Sequence, residues 1–122
     1  PKDISGCPPF VRKPGMSFGV MGGPMQAQGH LQMVLRTEIW GQDPQTAADA
    51  PRWRFNRGLE VSVETTMAAD TRERLAAMGH HLSLEAPDEA FGFGGAQLIR
   101  RLESGGYIGG SDPRKDGHAV AL

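Results

Sequence analysis

Gly22, Gly23 and Pro24 are the residues whose types and spacing could do chemistry without a reactive side chain. They stand between a strand-like run, "MSFGV", and a helix-like run with Leu31, Val34, Leu35 and Ile39 at spacings of three and four. The first amides of a helix have no partner inside it, and the peptide dipoles add there, so negative charge is stabilised at that end. Pro24 has no N–H to give, so free donors must come from Gly22, Gly23 or Met25. Glycine also reaches positive φ and lets a ligand atom approach the backbone closely. Two successive amides aimed at one point would make an oxyanion hole or a phosphate cradle. A tight strand-to-helix turn also needs glycine for its own sake. The spacing is neither a P-loop, since no Gly-Lys-Ser/Thr follows, nor a dinucleotide fingerprint.

Other candidates gather around that turn. Gln26 and His30 lie four apart on one helix face beside it, placed to support an anion site or simply to hydrogen-bond within the helix. Asp112 and Arg114 flank Pro113 in a turn. Their first reading is an ion pair with another segment that closes a sheet; the sharper reading makes Arg114 a clamp for a substrate carboxylate, supported by Asp112. His80 and His81 are adjacent in a strand-like run and point to opposite faces, and Glu85 and Asp88 add no ligand spacing, so no metal is expected. Cys7 sits beside two prolines with no obvious base nearby and reads as an inert or incidental thiol. Thr65 and Thr66 read as a strand end and turn. "RWRFNR" reads as a strand with an outward basic face.

The elements that must position these residues follow from pattern. Residues 1–15 are rich in Pro and Gly and read as an extended arm, leaving 16–122 as one domain. A strand over 16–20 leads to a helix from Pro24 to about Trp40, with Gly41 as its stop. Asp43 caps a short helix that Pro51 ends. "RWRF" and "LEVSVE" are strands, with Leu59, Val61 and Val63 on one face and Glu60, Ser62 and Glu64 on the other. Asp70 caps a helix with Glu73 three residues on and Leu75 and Met78 on its apolar face, stopped by Gly79. "HLSLE" is a strand, "AQLIRRL" and "YIGG" form a hairpin over "ESGG", and "DGHAVAL" is a turn and last strand. This order predicts an α+β fold with a mainly antiparallel sheet and helices packed on it.

Composition narrows the function. The chain has 122 residues, 17 glycines, one cysteine and net charge −1. It carries no basic stripe for nucleic acid, no apolar run near the ~18 residues of a membrane span, and no leader pattern at its start.

"MSFGVMGGPMQAQGHLQMVL", "DPQTAADAPRWRF", "LEVSVE" and "GGSDPRKDGHAVAL" together resemble the C-terminal part of the γ-glutamyltransferase (γ-glutamyltranspeptidase) family, over nearly all of 16–122 and in the family's order. The resemblance is nearest to the bacterial γ-glutamyltransferase-like branch. It implies an N-terminal-nucleophile hydrolase, an αββα sandwich of which this chain is the distal part of the small subunit. It implies cleavage of γ-glutamyl amides such as glutathione, with transfer to water or an amine, and no cofactor. It places the oxyanion-hole glycines on Gly22 and Gly23. The family's nucleophilic threonine lies well upstream of its Gly-Gly turn, whereas no threonine occurs among residues 1–21. The nucleophile, and the serines and acid that hold the donor, are therefore expected upstream. The expected partners are that upstream segment and the large subunit, or a second copy of this chain covering an apolar sheet face. The alternative is a non-catalytic interaction module that keeps only the fold.

Overall fold

The computed structural model describes residues 15–87 and 92–120. All of the expected arm except Gly15, and with it Cys7, lies outside them, as does Asp88. The described chain forms two three-stranded sheets. In the first, β1 (Met16–Met21), β5 (Gly95–Arg101) and β6 (Tyr107–Ser111) run in the order β1-β5-β6, all antiparallel. In the second, β2 (Trp53–Arg57), β3 (Glu60–Glu64) and β4 (His81–Glu85) run β2-β3-β4. There β2–β3 is an antiparallel hairpin, whereas β3 and β4 are parallel. A parallel pair needs a crossover, and α3 (Ala69–Ala77) supplies it.

The helical run after β1 is continuous but changes pitch. A 3-10 turn over Gly23–Met25 leads into α1 (Gln26–Val34), and a single π turn over Leu35–Ile39 follows. Thr37 donates its hydroxyl to the Met33 carbonyl inside that turn, the kind of back-bond that loosens a helix. Gly41, at φ 66, ends the run. Asp43 accepts from the Gln45 and Thr46 amides at 2.9 and 3.0 Å and so caps α2 (Pro44–Asp49). The Thr46 hydroxyl and amide hold the Asp43 carboxyl below its ordinary range. Val20, Ala96 and Leu98 of the first sheet pack on Met33 of α1 and on Ala47 and Ala48 of α2, with Met16 and Phe18 against them. Among the described residues no helix is long and apolar enough to cross a membrane.

Several expectations shift. α3 starts one residue before Asp70, with Ala68 at its N-cap and no side-chain cap, so Asp70 serves the first turn by charge alone. No residue of α3 is buried, and Met78 is exposed rather than part of a packed face. Asn56 and Arg57 belong to β2, with a bulge there, and Leu59 falls in the turn. Residues 117–120 form no strand.

The outer edge of β2 is closed by side chains. Gln28 donates to the Phe55 carbonyl at 3.1 Å and accepts from its amide at 2.6 Å. Gln32 does the same to Trp53, at 2.7 and 3.2 Å. Four residues of helix rise about 6 Å. Two residues of strand rise about 6.8 Å, and only alternate residues face a given edge. A Gln-x-x-x-Gln face thus matches the edge of a strand and satisfies it as a neighbouring strand would. Gln32 is buried and Gln28 is not. Replacing Gln32 by Leu should therefore lower stability by about 2 kcal/mol, and Gln28→Leu by under about 1 kcal/mol. Urea unfolding of the two variants checks the order; equal losses would mean the edge is held otherwise.

Candidate functional site

β1 ends at Met21, and the chain reverses through Gly22 at φ 138 and Gly23 at φ 56. A Cβ on Gly22 would lie 2.9 Å from the Gly94 Cα, so two backbones meet where only glycine fits. Gly94 is itself at φ 73, and a Cβ there would lie 2.3 Å from the Met21 carbonyl oxygen. Around Gly23 there is open space. Pro24 is the second residue of the 3-10 turn, not the first. The Met25 amide is not a free donor: it bonds the Gly22 carbonyl at 3.1 Å, closing the turn. Gly22 lies beyond the β1 ladder, and Gly23 opens the 3-10 turn, where an amide precedes any partner within it. No turn or loop hydrogen bond among the described residues uses either amide.

His30 fastens this turn to α1. Its Nδ1 lies 2.6 Å from the Gln26 carbonyl oxygen, and its Nε2 accepts from the Val20 amide at 3.3 Å. That pair of partners selects the tautomer with the proton on Nδ1. The ring also lies against Phe18, with centroids 5.6 Å apart. Gln26 thus takes part through its main chain, while its side chain stays exposed.

Asp112 and Arg114 are drawn into a different constellation. Arg114 grips Glu64 with Nε on Oε1 and Nη2 on Oε2, both at 2.5 Å. Its Nη1 donates to the Ala48 carbonyl at 2.8 Å and to Asp112 Oδ1 at 3.1 Å, and Nη2 also donates to the Ala50 carbonyl at 3.1 Å. All five guanidinium N–H groups thus have protein acceptors, and a substrate carboxylate would have to displace one. Asp112 Oδ2 accepts from Arg52 Nη2 at 2.5 Å and from the Ala96 amide at 2.6 Å. Arg52 further donates to the Phe93 carbonyl at 3.0 Å, and its own amide donates to Glu64 Oε2 at 2.9 Å. Its Nε is buried without a partner among the described residues. Arg52, Glu64 and Asp112 are fully buried, and the Arg114 side chain is 4% exposed.

This overturns two readings. Arg52 is not on an outward basic face; only Arg57 is clearly so, beside Glu60, while Arg54 is half-buried on Glu85. Glu64 and Ser62 are buried, although strand alternation put them on the polar side. His81 opens β4 and His80 precedes it, and the described residues hold no group of three or more possible metal ligands.

Burial sets the charge balance of the network. It drives Arg52 below its ordinary value more than Asp112 returns, with Arg114 adding repulsion. It drives Arg114 down too, but the two bonds to Glu64 more than offset that, and Arg114 rises. Burial likewise pushes the Asp112 carboxyl up; the Ala96 amide, Arg52 and Arg114 outweigh it, and the net direction is down. Arg36, held on the Pro51 carbonyl at 2.8 Å, is lowered by burial and by the nearby Arg52 and Arg114.

A carboxyl whose folded-state value is depressed contributes stability above its unfolded value, about 4, and loses it as pH falls through the folded value. Resistance to urea should therefore be flat near neutrality and decline on acidification below about pH 4. Asp112→Asn should cost about 3–5 kcal/mol at pH 7, because Arg52 loses its counter-charge. The same change should make the acid-side decline shallower. An unchanged acid profile in the variant would show that other carboxyls carry it.

Comparison with known proteins places this geometry. The family model described as Gamma-glutamyltranspeptidase matches residues 5–122. The glutathione hydrolase-like YwrD proenzyme of Bacillus subtilis (strain 168) is 33% identical over 115 residues, covering 90% of this chain and 22% of that protein. The cephalosporin acylase of Bacillus halodurans superposes with a TM-score of 0.79 at 42% identity, over 86% of this chain and 19% of that one. The gamma-glutamyltranspeptidase of Pseudomonas nitroreducens complexed with L-DON shares the fold, with a TM-score of 0.75 at 19% identity, over 88% of this chain and 55% of that one. The chain therefore spans about a fifth of the length of the first two. Its α+β architecture is the one these N-terminal-nucleophile hydrolases share, and the chain belongs to the gamma-glutamyltranspeptidase family.

Proposed function

We propose that this chain supplies the anion-stabilising backbone of a γ-glutamyl acyl-transfer enzyme whose nucleophile lies on a segment outside it. The observation that carries the reading is the Gly22–Gly23 turn: two successive residues at positive φ, with amides outside the β1 ladder and the closing turn bond, at the head of a helix. A hydrolase-like relative and an acylase relative support acyl transfer as the class of reaction.

In this reading the hydroxyl oxygen of an N-terminal threonine attacks the γ-carbonyl carbon, and a base takes its proton. The carbonyl π pair moves onto oxygen, which rests on the Gly22 and Gly23 amides. The adduct collapses, the protonated amine leaves, and water or an acceptor amine resolves the acyl-enzyme. Gln26 and His30 hold the turn in place through the Gln26 carbonyl and the Val20 amide. Asp112 supports it at longer range through Arg52 and the Phe93 carbonyl. The upstream part of the small subunit and the large subunit are the partners, and they cover the sheet face that carries exposed Met21, Ile99 and Tyr107.

The test is hydrolysis of a chromogenic γ-glutamyl anilide by this chain alone and with the remaining small-subunit segment and large subunit supplied in trans. Turnover is expected only on complementation. In the complemented enzyme Gly22→Ala keeps the N–H but presses a Cβ on Gly94, which should displace the donor and lower kcat by about 10²–10³ with little change in KM. Gly23→Ala meets no steric obstacle and only the cost of positive φ, about 1–2 kcal/mol of stability. No turnover with every segment present would leave an interaction module that has kept the fold alone.

A further inference from the structure

The outer strands of the two sheets do not end alike. Alternate residues of an outer strand turn their amides and carbonyls outward, and left bare these groups template another strand. On β2, Gln28 and Gln32 take those of Phe55 and Trp53. On β6, Gln45 does the same, donating to the Ser111 carbonyl at 2.9 Å and accepting from its amide at 3.0 Å. On β1, His30 accepts from the Val20 amide. Among the described residues β4 is the outer strand that no side chain caps.

The ladder to β3 fixes which groups of β4 point out. The His81 amide donates to the Leu59 carbonyl, and the Glu85 carbonyl accepts from the Thr65 amide. His81, Ser83 and Glu85 therefore turn their main chain toward β3, and Leu82 and Leu84 turn theirs outward. The side chains alternate too. Leu82 and Leu84 face α3 and line a hollow of about 350 Å³ with it, while Ser83 is exposed on the opposite face. Since α3 buries none of its residues, both the edge and this face of β4 are unfinished.

β4 is complementary to a second β4 running antiparallel. A two-fold axis at Ser83 sets Leu82 opposite the partner's Leu84, and Leu84 opposite the partner's Leu82. Each of these pairs joins two outward residues, so each exchanges both of its N–H···O bonds. The same axis sets His81 opposite the partner's Glu85, a ring N–H donor against a carboxylate that Arg54 already orients. Moving the axis to Leu82 or Leu84 keeps the hydrogen-bond phase but leaves part of the strand unpaired and parts His81 from the partner's Glu85.

We infer that β4 is a self-association edge, at which two copies of this chain join about Ser83 and their β2-β3-β4 sheets become one continuous sheet. The contact is isologous, with both copies of α3 on the same face of the joint and the leucines of both strands beneath them. No residue of the glycine turn takes part, and none of the readouts below depends on turnover, so this edge and the oxyanion assignment can fail separately.

In a Cys7→Ser background, Ser83→Cys places one thiol opposite another at a pair without ladder bonds. Cα atoms there stand about 4.5 Å apart, within reach of a disulfide. Diamide should bridge this variant into a covalent dimer. His81→Cys stands about 14 Å along the strand from its mate and should stay unbridged. Light scattering should show a concentration-dependent dimer of the unmodified chain. Ser83→Lys sets like charges face to face and should raise the dissociation constant about fivefold. The oxidation is repeated with the remaining small-subunit segment and large subunit present. Persistence of the Ser83→Cys bridge supports a contact between copies; its loss would give the edge to one of those segments and overturn the second copy. A chain that stays monomeric, equal bridging at positions 81 and 83, or a Ser83→Lys variant that dimerises as well as the parent overturns it too.

Discussion

The structure turns on four buried charges that satisfy one another. Arg52 and Arg114 are the cations, Glu64 and Asp112 the anions, and they come from sequence positions up to 62 residues apart. Each marks the end of an element: Arg52 precedes β2, Glu64 closes β3, and Asp112 and Arg114 follow β6. The two arginines also cap the end of α2 by taking the Ala48 and Ala50 carbonyls. The network therefore joins both sheets and one helix at a single point. The consequence reaches the glycine turn. Arg52 fixes the Phe93 carbonyl, Asp112 fixes the Ala96 amide, and Gly94 between them is the backbone against which Gly22 is pressed. The shape of the glycine turn is thus set by side chains that make no hydrogen bond to it.

What the sequence made legible was local. Pro24, Gly41, Asp43 and Gly79 mark helix starts and stops through backbone geometry that each residue carries with it. The hairpin over 103–106 follows from two glycines at positive φ. What stayed hidden depended on distant partners. Strand alternation gives the parity of Glu60, Ser62 and Glu64 but not which face is covered, and a face covered by arginines is polar and buried at once. Arg52 reads as basic surface until Asp112, far along the chain, lies beside it. The Gln28–Gln32 pair looks like an ordinary polar helix face, because a glutamine that solvates a strand edge has no different neighbours in sequence. The parallel pairing of β3 with β4 follows from how far α3 carries the chain, which the spacing of a short strand does not encode. The Gly-Gly turn was legible as a turn; its tight partner Gly94 was not.

Closed and open surfaces divide the molecule in a consistent way. β2 is sealed by glutamines, and the inner face of the first sheet is sealed by α1 and α2. By contrast β1, β4 and β6 are outer strands of their sheets. Met21, Ile99 and Tyr107 are 48%, 47% and 69% exposed on or near the outer face. A sheet left this way is one that a further layer normally covers, in keeping with a chain that spans about a fifth of the length of the Bacillus subtilis and Bacillus halodurans relatives. The glycine turn lies at the boundary between the sealed and open halves.

That placement explains why the buried centre is charged. A well-packed apolar centre of equal volume would often be as stable or more so, since removing two ion pairs from water costs several kcal/mol per ion before they attract. Apolar packing, however, tolerates small slides between elements. A bidentate Arg–carboxylate pair does not, because both N–H···O bonds fail together when the planes shift. With α2 contributing only six residues and α3 burying none, directional bonds are the means available for fixing the sheets relative to each other. An oxyanion needs its two donors held to a fraction of an ångström. The network supplies rigidity of that kind from the sealed side, and on the acyl-transfer proposal the open side of the turn is where the reacting group would approach.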